Sequence, residues 1–439
     1  MQGVSRDSFV QTLRNKGLYD LFVQELSAYQ STQYSNSSSQ VQNVWSIESN
    51  GDISLRSGTE YVFEGMDLLR TKNVILDGAR LSGTVSDSLT WKSGVIEDIR
   101  ITTSGVIVAV GNTSKVISGA LENYGQIQVN SGSLTFLADQ VHRGFYVLNG
   151  GQIELALGRH ILTDQLNIKG SSVYYRGLSN IPEVSSLSGI LTNANILNWD
   201  HGIIDNLIIE TGSQLILNET TNVSAKIATG TIHNKGIFVY EDKFLIPNGN
   251  TSSNLDALVF GSSSKTAHFI NDERFELVGP YANLSSLNPL NGLRSVGSTF
   301  TNNDTFRRSG TGASWVDIAF FNIGLLEIIE GQLHINNRFV NQGILDLSLD
   351  GDVFFHSDQA AHTGTYNTSL GSVSFLSGVH NLTEQLLLQG DNVYLRGATI
   401  TGVLANSSKL NWEYGAIDNL TIETGSQLIL NETTNVSAK

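Results

Sequence analysis

The chain has 439 residues, a formal net charge of −15, 43 glycines, 4 prolines and no cysteine. So acidic a chain lacks the basic faces that nucleic acid or an anionic membrane selects. Without cysteine it has no disulfide, thiol nucleophile or thiolate metal site. Charged residues are only 15%, low for a compact soluble domain. Asn, Ser and Thr fill the gap, which suits many short strands joined by glycine turns.

Residues 1–43 read differently from the rest. Phe9, Leu13, Leu18, Leu21, Phe22 and Leu26 recur at roughly helical spacing. Gly17 divides them into two short helices, and residues 31–43 read as a polar linker. Such a helix docks on a membrane or partner, or caps a repeat array. Its polar face mixes Arg14, Lys16, Asp20 and Glu25 without basic bias, which favours the cap. Met1 to Asp7 is polar and no unbroken apolar core follows, so no signal peptide is read. Either export takes another route or the native start lies elsewhere. The apolar stretch around Ile318 to Ile329 is interrupted and too short to span a bilayer.

Residues 44–439 are repetitive. Ile209 to Lys226 reads IETGSQLILNETTNVSAK, and Ile422 to Lys439 is identical. Upstream, WDHGIIDNLI (199–208) matches WEYGAIDNLT (412–421), and LTDQLNIKGSSVYYRG (162–177) matches LTEQLLLQGDNVYLRG (382–397). The strongest copies are thus 162–226 and 382–439. The first carries extra residues around Ile181, so Ile181 to Ser185 is expected to be an exposed loop. A more diverged copy surrounds Trp91 at 73–101. The spacing of Trp91 and Trp199 gives a module of about 107 residues. Within modules, Asn-x-Gly precedes alternating apolar residues at 123–129, 234–240, 322–328 and 341–347, with a weaker version at 302–306. Asn and Gly tolerate left-handed backbone, so the motif reads as a fixed corner. Ile127 and Val129; Ile153, Leu155 and Leu157; Leu215 and Leu217; and Val373 and Phe375 alternate like half-buried strands. A turn of about 20 residues buries its apolar stripe only by stacking. The expected fold is all-β: a right-handed parallel β-helix (β-solenoid) of roughly 20 coils with a short N-terminal helical cap.

The segments at 298–312 (STFTNNDTFRRSGTG), 341–351 (NQGILDLSLDG) and 410–430 (LNWEYGAIDNLTIETGSQLIL) resemble repeats of large bacterial surface and secreted proteins. These are the filamentous-haemagglutinin-like and autotransporter-adhesin-like β-helices, pectin-lyase-like in architecture. The resemblance covers about residues 45–439. It implies a structural or adhesive rod, a segment of a larger cell-surface or secreted protein. Glycans or host and cell-surface proteins are the expected partners. The alternative is a carbohydrate-active lyase or hydrolase.

No catalytic, cofactor-binding or metal-binding residue is assigned, and no cofactor is expected. Glu97, Asp205 and Asp418 each follow a Trp by six residues, and Glu210 and Glu423 recur at a strand end. About five coils separate successive copies, so solvent-facing turns are expected rather than a carboxylate pair or calcium site. Asp77 with Arg100, and Arg143 with Arg159, are the nearest basic and acidic groupings at coil spacing. His142 with His160, and His356 with His362, are candidate neighbours, expected at the surface or in turns. Trp45, Trp91, Trp199, Trp315 and Trp412 are expected to pack at module corners rather than stack on sugars. TGT at 229–231 and 363–365 is too isolated for an ice-binding row. Thirteen Asn-x-Ser/Thr sites, Asn112, Asn283, Asn381 and Asn419 among them, would carry sugars in a glycosylating host. The second copy stops at Lys439 without the continuation seen after Lys226, so a fragment of a longer protein, prone to end-to-end self-association, is expected. Circular dichroism tests the fold class: a strand-dominated spectrum is expected, and a helix content above about a third would overturn it.

Overall fold

A computed structural model describes residues 45–47, 53–56, 60–63, 74–177, 185–193, 195–218, 226–242, 257–262, 264–286, 295–357 and 360–431. The expected helices and linker of residues 1–43 lie outside these residues. The described residues hold 38 strands in one continuous sheet and no helix. The strand Trp45–Ile47 pairs antiparallel with Ile53–Arg56. From there on turn stacks on turn in parallel register, which makes the molecule an all-β parallel solenoid.

One turn shows the plan. Ala319–Asn322 forms a first face, and Leu325–Ile335 bends at Gly331, φ 75°, to form a second and a third. On the next turn Phe339 sits beside Phe320, Leu345 beside Leu326 and Val353 beside Leu333. The solenoid makes about 16 turns, not 20. Asn302, Asn322 and Asn341 are 20 and 19 residues apart, as expected for single turns. But 37 residues separate Asn234 from Asn271, and 31 separate Asn271 from Asn302. Extra residues lengthen the connections without adding turns, because the ladder needs only the strands to be in register. At ~4.8 Å per step the described stack is roughly 77 Å long.

The expected inward residues are all buried: Ile127, Val129, Ile153, Leu155, Leu157, Leu215, Leu217, Val373 and Phe375. The middle of the core is aromatic. Phe269 stacks on Phe300 at 4.8 Å, and Phe238 on Phe275 at 4.9 Å and Phe275 on Phe306 at 5.1 Å. The two stacks meet edge to face, Phe269 to Phe275 at 83° and Phe275 to Phe300 at 79°, the geometry that opposed ring quadrupoles favour.

Alongside the phenylalanines runs a column of fully buried asparagines. The Asn234 Nδ2 donates to Asn271 Oδ1 at 2.6 Å, Asn271 to Asn302 at 2.7 Å, Asn302 to Asn322 at 2.8 Å and Asn322 to Asn341 at 2.6 Å. Each Nδ2 except the last also reaches a carbonyl on the next turn, as Asn302 reaches Leu325 at 2.9 Å. This corrects the corner reading of Asn-x-Gly, since neither Asn322 nor Gly324 has positive φ. The asparagine is there for its amide. The glycine is there for room, because a Cβ on Gly343 would lie 2.0 Å from the Gly324 carbonyl oxygen.

Two further expectations change. Ser185 is not in an exposed loop; it is buried at the start of Ser185–Leu191 and donates to the Ala156 carbonyl at 3.0 Å. Residues 178–184 lie outside those described. Trp91 and Trp199 are fully buried and Trp412 packs against the core, as expected, but Trp315 is exposed on the third face. The asparagine column generates a test. Asn322→Ala strands the Asn341 acceptor in a dry core, at about 1–3 kcal/mol, while the Asn302 amide keeps the Asp304 and Leu325 carbonyls. Urea denaturation should show a loss of that size, whereas substituting the exposed Asn337 should change little.

Candidate ligand-binding cleft

The third face carries a concave polar surface. A shallow cleft of about 310 Å³ is lined by Asp350, Asp352, Leu370, Gly371, Ser372, Asn392, Tyr394 and Arg396. These residues come from three successive turns: Ile344–Phe355, Ser372–Phe375 and Val393–Leu404. Alternation points Asp352, Ser372, Tyr394 and Arg396 outward while Val353, Val373, Val393 and Leu395 fill the core. Asp352 Oδ1 accepts from the Ser372 hydroxyl at 2.5 Å and from its amide at 3.1 Å. Asp350 is exposed. Arg396 grips Glu413 with two bonds of 2.8 and 2.9 Å, donates to Ser374 at 3.2 Å and lies 4.1 Å from the Tyr394 ring centroid. That pairing raises the guanidinium pKa, with the Glu413 hydrogen bond the main cause. Arg396 and Glu413 cancel, so the free charge of the cleft is that of its two aspartates.

An aromatic stack rises from the same face. Trp315 lies on His334 with ring centroids 3.9 Å apart, and His334 on Phe354 at 4.7 Å. His334 Nδ1 faces His356 Nε2 at 3.1 Å. Burial pushes His334 down to about 4 and lowers His356. His334 is covered on both faces, by Trp315 and by Phe354.

The duplication supplies a comparison within the chain. Tyr174 and Arg176 occupy the places of Tyr394 and Arg396. Register puts Ser133 beside Gln152 just as Asp352 sits beside Ser372, so Ser131-Gly132-Ser133 stands where the cleft has Asp350-Gly351-Asp352. Arg176 donates to Asp200 at 2.6 Å and to Glu154 at 2.5 Å and lies over Tyr174 at 4.5 Å. The tyrosine–arginine unit is therefore scaffold, and the two aspartates belong to the second copy alone.

The groups singled out in the sequence do not assemble. Glu97 bonds Arg80 and Ser118; Asp205 bonds Thr229 at 2.8 Å and Lys265 at 3.0 Å; Asp418 accepts from Asn419 at 2.8 Å. Glu210 meets Lys235 at 3.3 Å, and Glu423 is exposed. Asp77 accepts from Ser93 rather than meeting Arg100, which is 3.7 Å from Glu122. Arg143 donates to the Tyr124 hydroxyl and Arg159 grips Asp139, so those two arginines have separate partners. Among the described residues no group of three or more His, Asp or Glu is placed to hold a metal ion.

The histidines overturn their expectation. His142, His160, His362 and His380 are buried in the core, not set in surface turns. The pairs are His142 with His160 at 3.0 Å and His362 with His380 at 3.1 Å, whereas His356 pairs with His334. Arg308 was missed altogether. It is fully buried, bonds the Ser309 carbonyl and the Gly312 carbonyl at 3.1 Å, and is pushed down to about 10 by desolvation. No known protein family, curated protein or solved structure matches the chain.

The two arginine sites generate a stability test. The Asp200 side chain is only 3% exposed. Arg176→Met leaves that carboxylate uncompensated and should cost about 3–5 kcal/mol. Arg396→Met leaves Glu413, which is 20% exposed and can be reached by water, and should cost about 1 kcal/mol. Thermal unfolding of the two variants should rank them in that order.

Proposed function

We propose that the chain is a right-handed structural or adhesive rod, a segment of a larger cell-surface or secreted repeat protein, that engages glycans at the cleft between Asp350 and Arg396. One observation carries this reading. Between the two copies inward residues recur, as Tyr146 and Tyr366, His142 and His362, and His160 and His380 do, while some outward ones diverge, as Ser133 and Asp352 do. A recurring interior under a surface that varies at particular places suits a scaffold that displays binding groups. The resemblance to haemagglutinin-like and autotransporter-like repeats points the same way and implies an extracellular or cell-surface setting. Glycans fit the cleft because Asp350, Asp352 and Asn392 offer acceptors and donors to hydroxyl groups, and Tyr394 adds an amphipathic ring. End-to-end association belongs to the same reading.

The alternative, a carbohydrate-active enzyme, draws on the two aspartates lining one cleft. Both readings meet in one experiment. The intact chain is passed over a panel of immobilised oligosaccharides, bound members are titrated, and the mixture is assayed for new reducing ends or unsaturated products. Binding without turnover is expected. Asp350→Ser combined with Asp352→Ser, which copies the first module, should weaken it at least 10-fold. Release of products would make the chain an enzyme, and retention of no member would sink the glycan reading.

A further inference from the structure

The two histidine pairs are the same device built twice. His142 Nδ1 faces the Tyr146 hydroxyl at 3.4 Å, and His362 Nδ1 is hydrogen-bonded to the Tyr366 hydroxyl. Those hydroxyls receive the amides of Asn123 and Asn341. The rings are packed in phenylalanines: Phe136 against His142, and Phe339, Phe355 and Phe375 against His362. A void beside His142 of about 10 Å³ is too small to hydrate a charge.

Hydrogen-bond direction fixes the proton count. His380 Nε2 lies 2.9 Å from the Ser377 carbonyl, which can only accept, so that nitrogen bears the proton. A neutral His380 then accepts at Nδ1, so His362 donates from Nε2. A neutral His362 accepts at Nδ1, so Tyr366 donates its hydroxyl proton. The chain of bonds from Asn341 to Ser377 thus has one proton per link. A further proton on either ring sets two donors face to face.

We infer that these imidazole pairs are acid-operated release points, at which the turns carrying them open in weak acid while the asparagine-laddered turns between them, from Asn234 to Asn302, stay paired. The groups around the rings agree. Only His160 stands opposite His142, and only His380 opposite His362, among the ionised partners that act on them. His160 also faces Tyr175, the distant Asp139 and the Leu157 carbonyl. Burial holds His142 and His362 well below the ordinary imidazole range and pushes His160 down to about 4 despite Asp139. For a base whose folded pKa is depressed, the unfolded state binds the extra proton. Stability is full above pH ~6.5 and falls towards pH ~4. For His160 alone the opening constant should rise on the order of 100-fold by pH 4.5.

Hydrogen exchange of the intact chain at pH 7 and pH 4.5, corrected for intrinsic rates, tests this. Gln140–Leu148, Gly158–Lys169, Ala360–His362 and Val379–Leu382 should lose protection, while Ala267–Asn271 and Thr299–Asn302, on turns before those of His334 and His356, keep it. His362→Asn with His380→Asn extends the asparagine column by two rungs that do not titrate. It should remove acid opening in the second copy and leave the first responsive. Uniform loss of protection, or equal opening in the asparagine variant, overturns the inference. Should that variant fail to fold at pH 7, imidazole NMR titration of the unaltered chain decides. His142, His160 and His362 resonances titrating near 6.5 also overturn it.

Discussion

The whole solenoid depends on keeping buried amides paired. Stacked parallel turns satisfy their own backbone, but any polar side chain that points inward must find its partner on the next turn. The asparagine column does this by imitating the backbone. Each side-chain amide donates to the amide one turn on and accepts from the one before, in a single direction from Asn234 to Asn341. Because side chains alternate, a slip of one residue would turn every asparagine outward and every outward residue in. The column therefore specifies register more than it adds stability, the use for which buried polar groups are best attested. Gly324 and Gly343 follow from it, since the turn after each Asn brings the chain against the previous turn's carbonyl.

Much of this was legible in the sequence, and the rest failed for identifiable reasons. The identical 18-residue segments and the spacing of Asn302, Asn322 and Asn341 carried the fold, because spacing in a solenoid is spacing in space. The meaning of Asn-x-Gly was misread because asparagine's tolerance of left-handed backbone is a local property, whereas its buried amide matters only once turns are stacked. The fuller signal, Phe-x-Asn at 269–271, 300–302, 320–322 and 339–341, was in plain view: a spacing of two puts the ring and the amide on the same inward side. Turn number was overestimated since a period taken from the tightest turns ignores the long connections before Asn271 and Asn302. His362 looked like a turn residue beside His356. In the ladder it is the next rung after Asn341, a relation that sequence distance hides.

The cleft was invisible for a different reason. Asp350 and Asp352 meet Ser372, Asn392 and Arg396 only across three turns, and no local motif announces them. Duplication makes them interpretable afterwards. What both copies share, the Tyr-x-Arg unit and the histidine pair, answers the scaffold's needs. What one copy adds is free of them, and function can be sought there.

The histidines and asparagines are solutions to one problem. At each rung the fold needs an inward group that donates on one side and accepts on the other. Asparagine does so at any pH. Neutral histidine does so with a larger, flatter body that packs against Phe355 and Phe375, and only while it carries a single proton. Tyr366 makes the join, because its hydroxyl accepts from Asn341 and donates to His362. A column that changes from amide to imidazole at matching places in two copies has exchanged an invariant rung for a conditional one. Hydrogen bonding alone does not require the exchange, since asparagine fills the same geometry four times over on the turns before it.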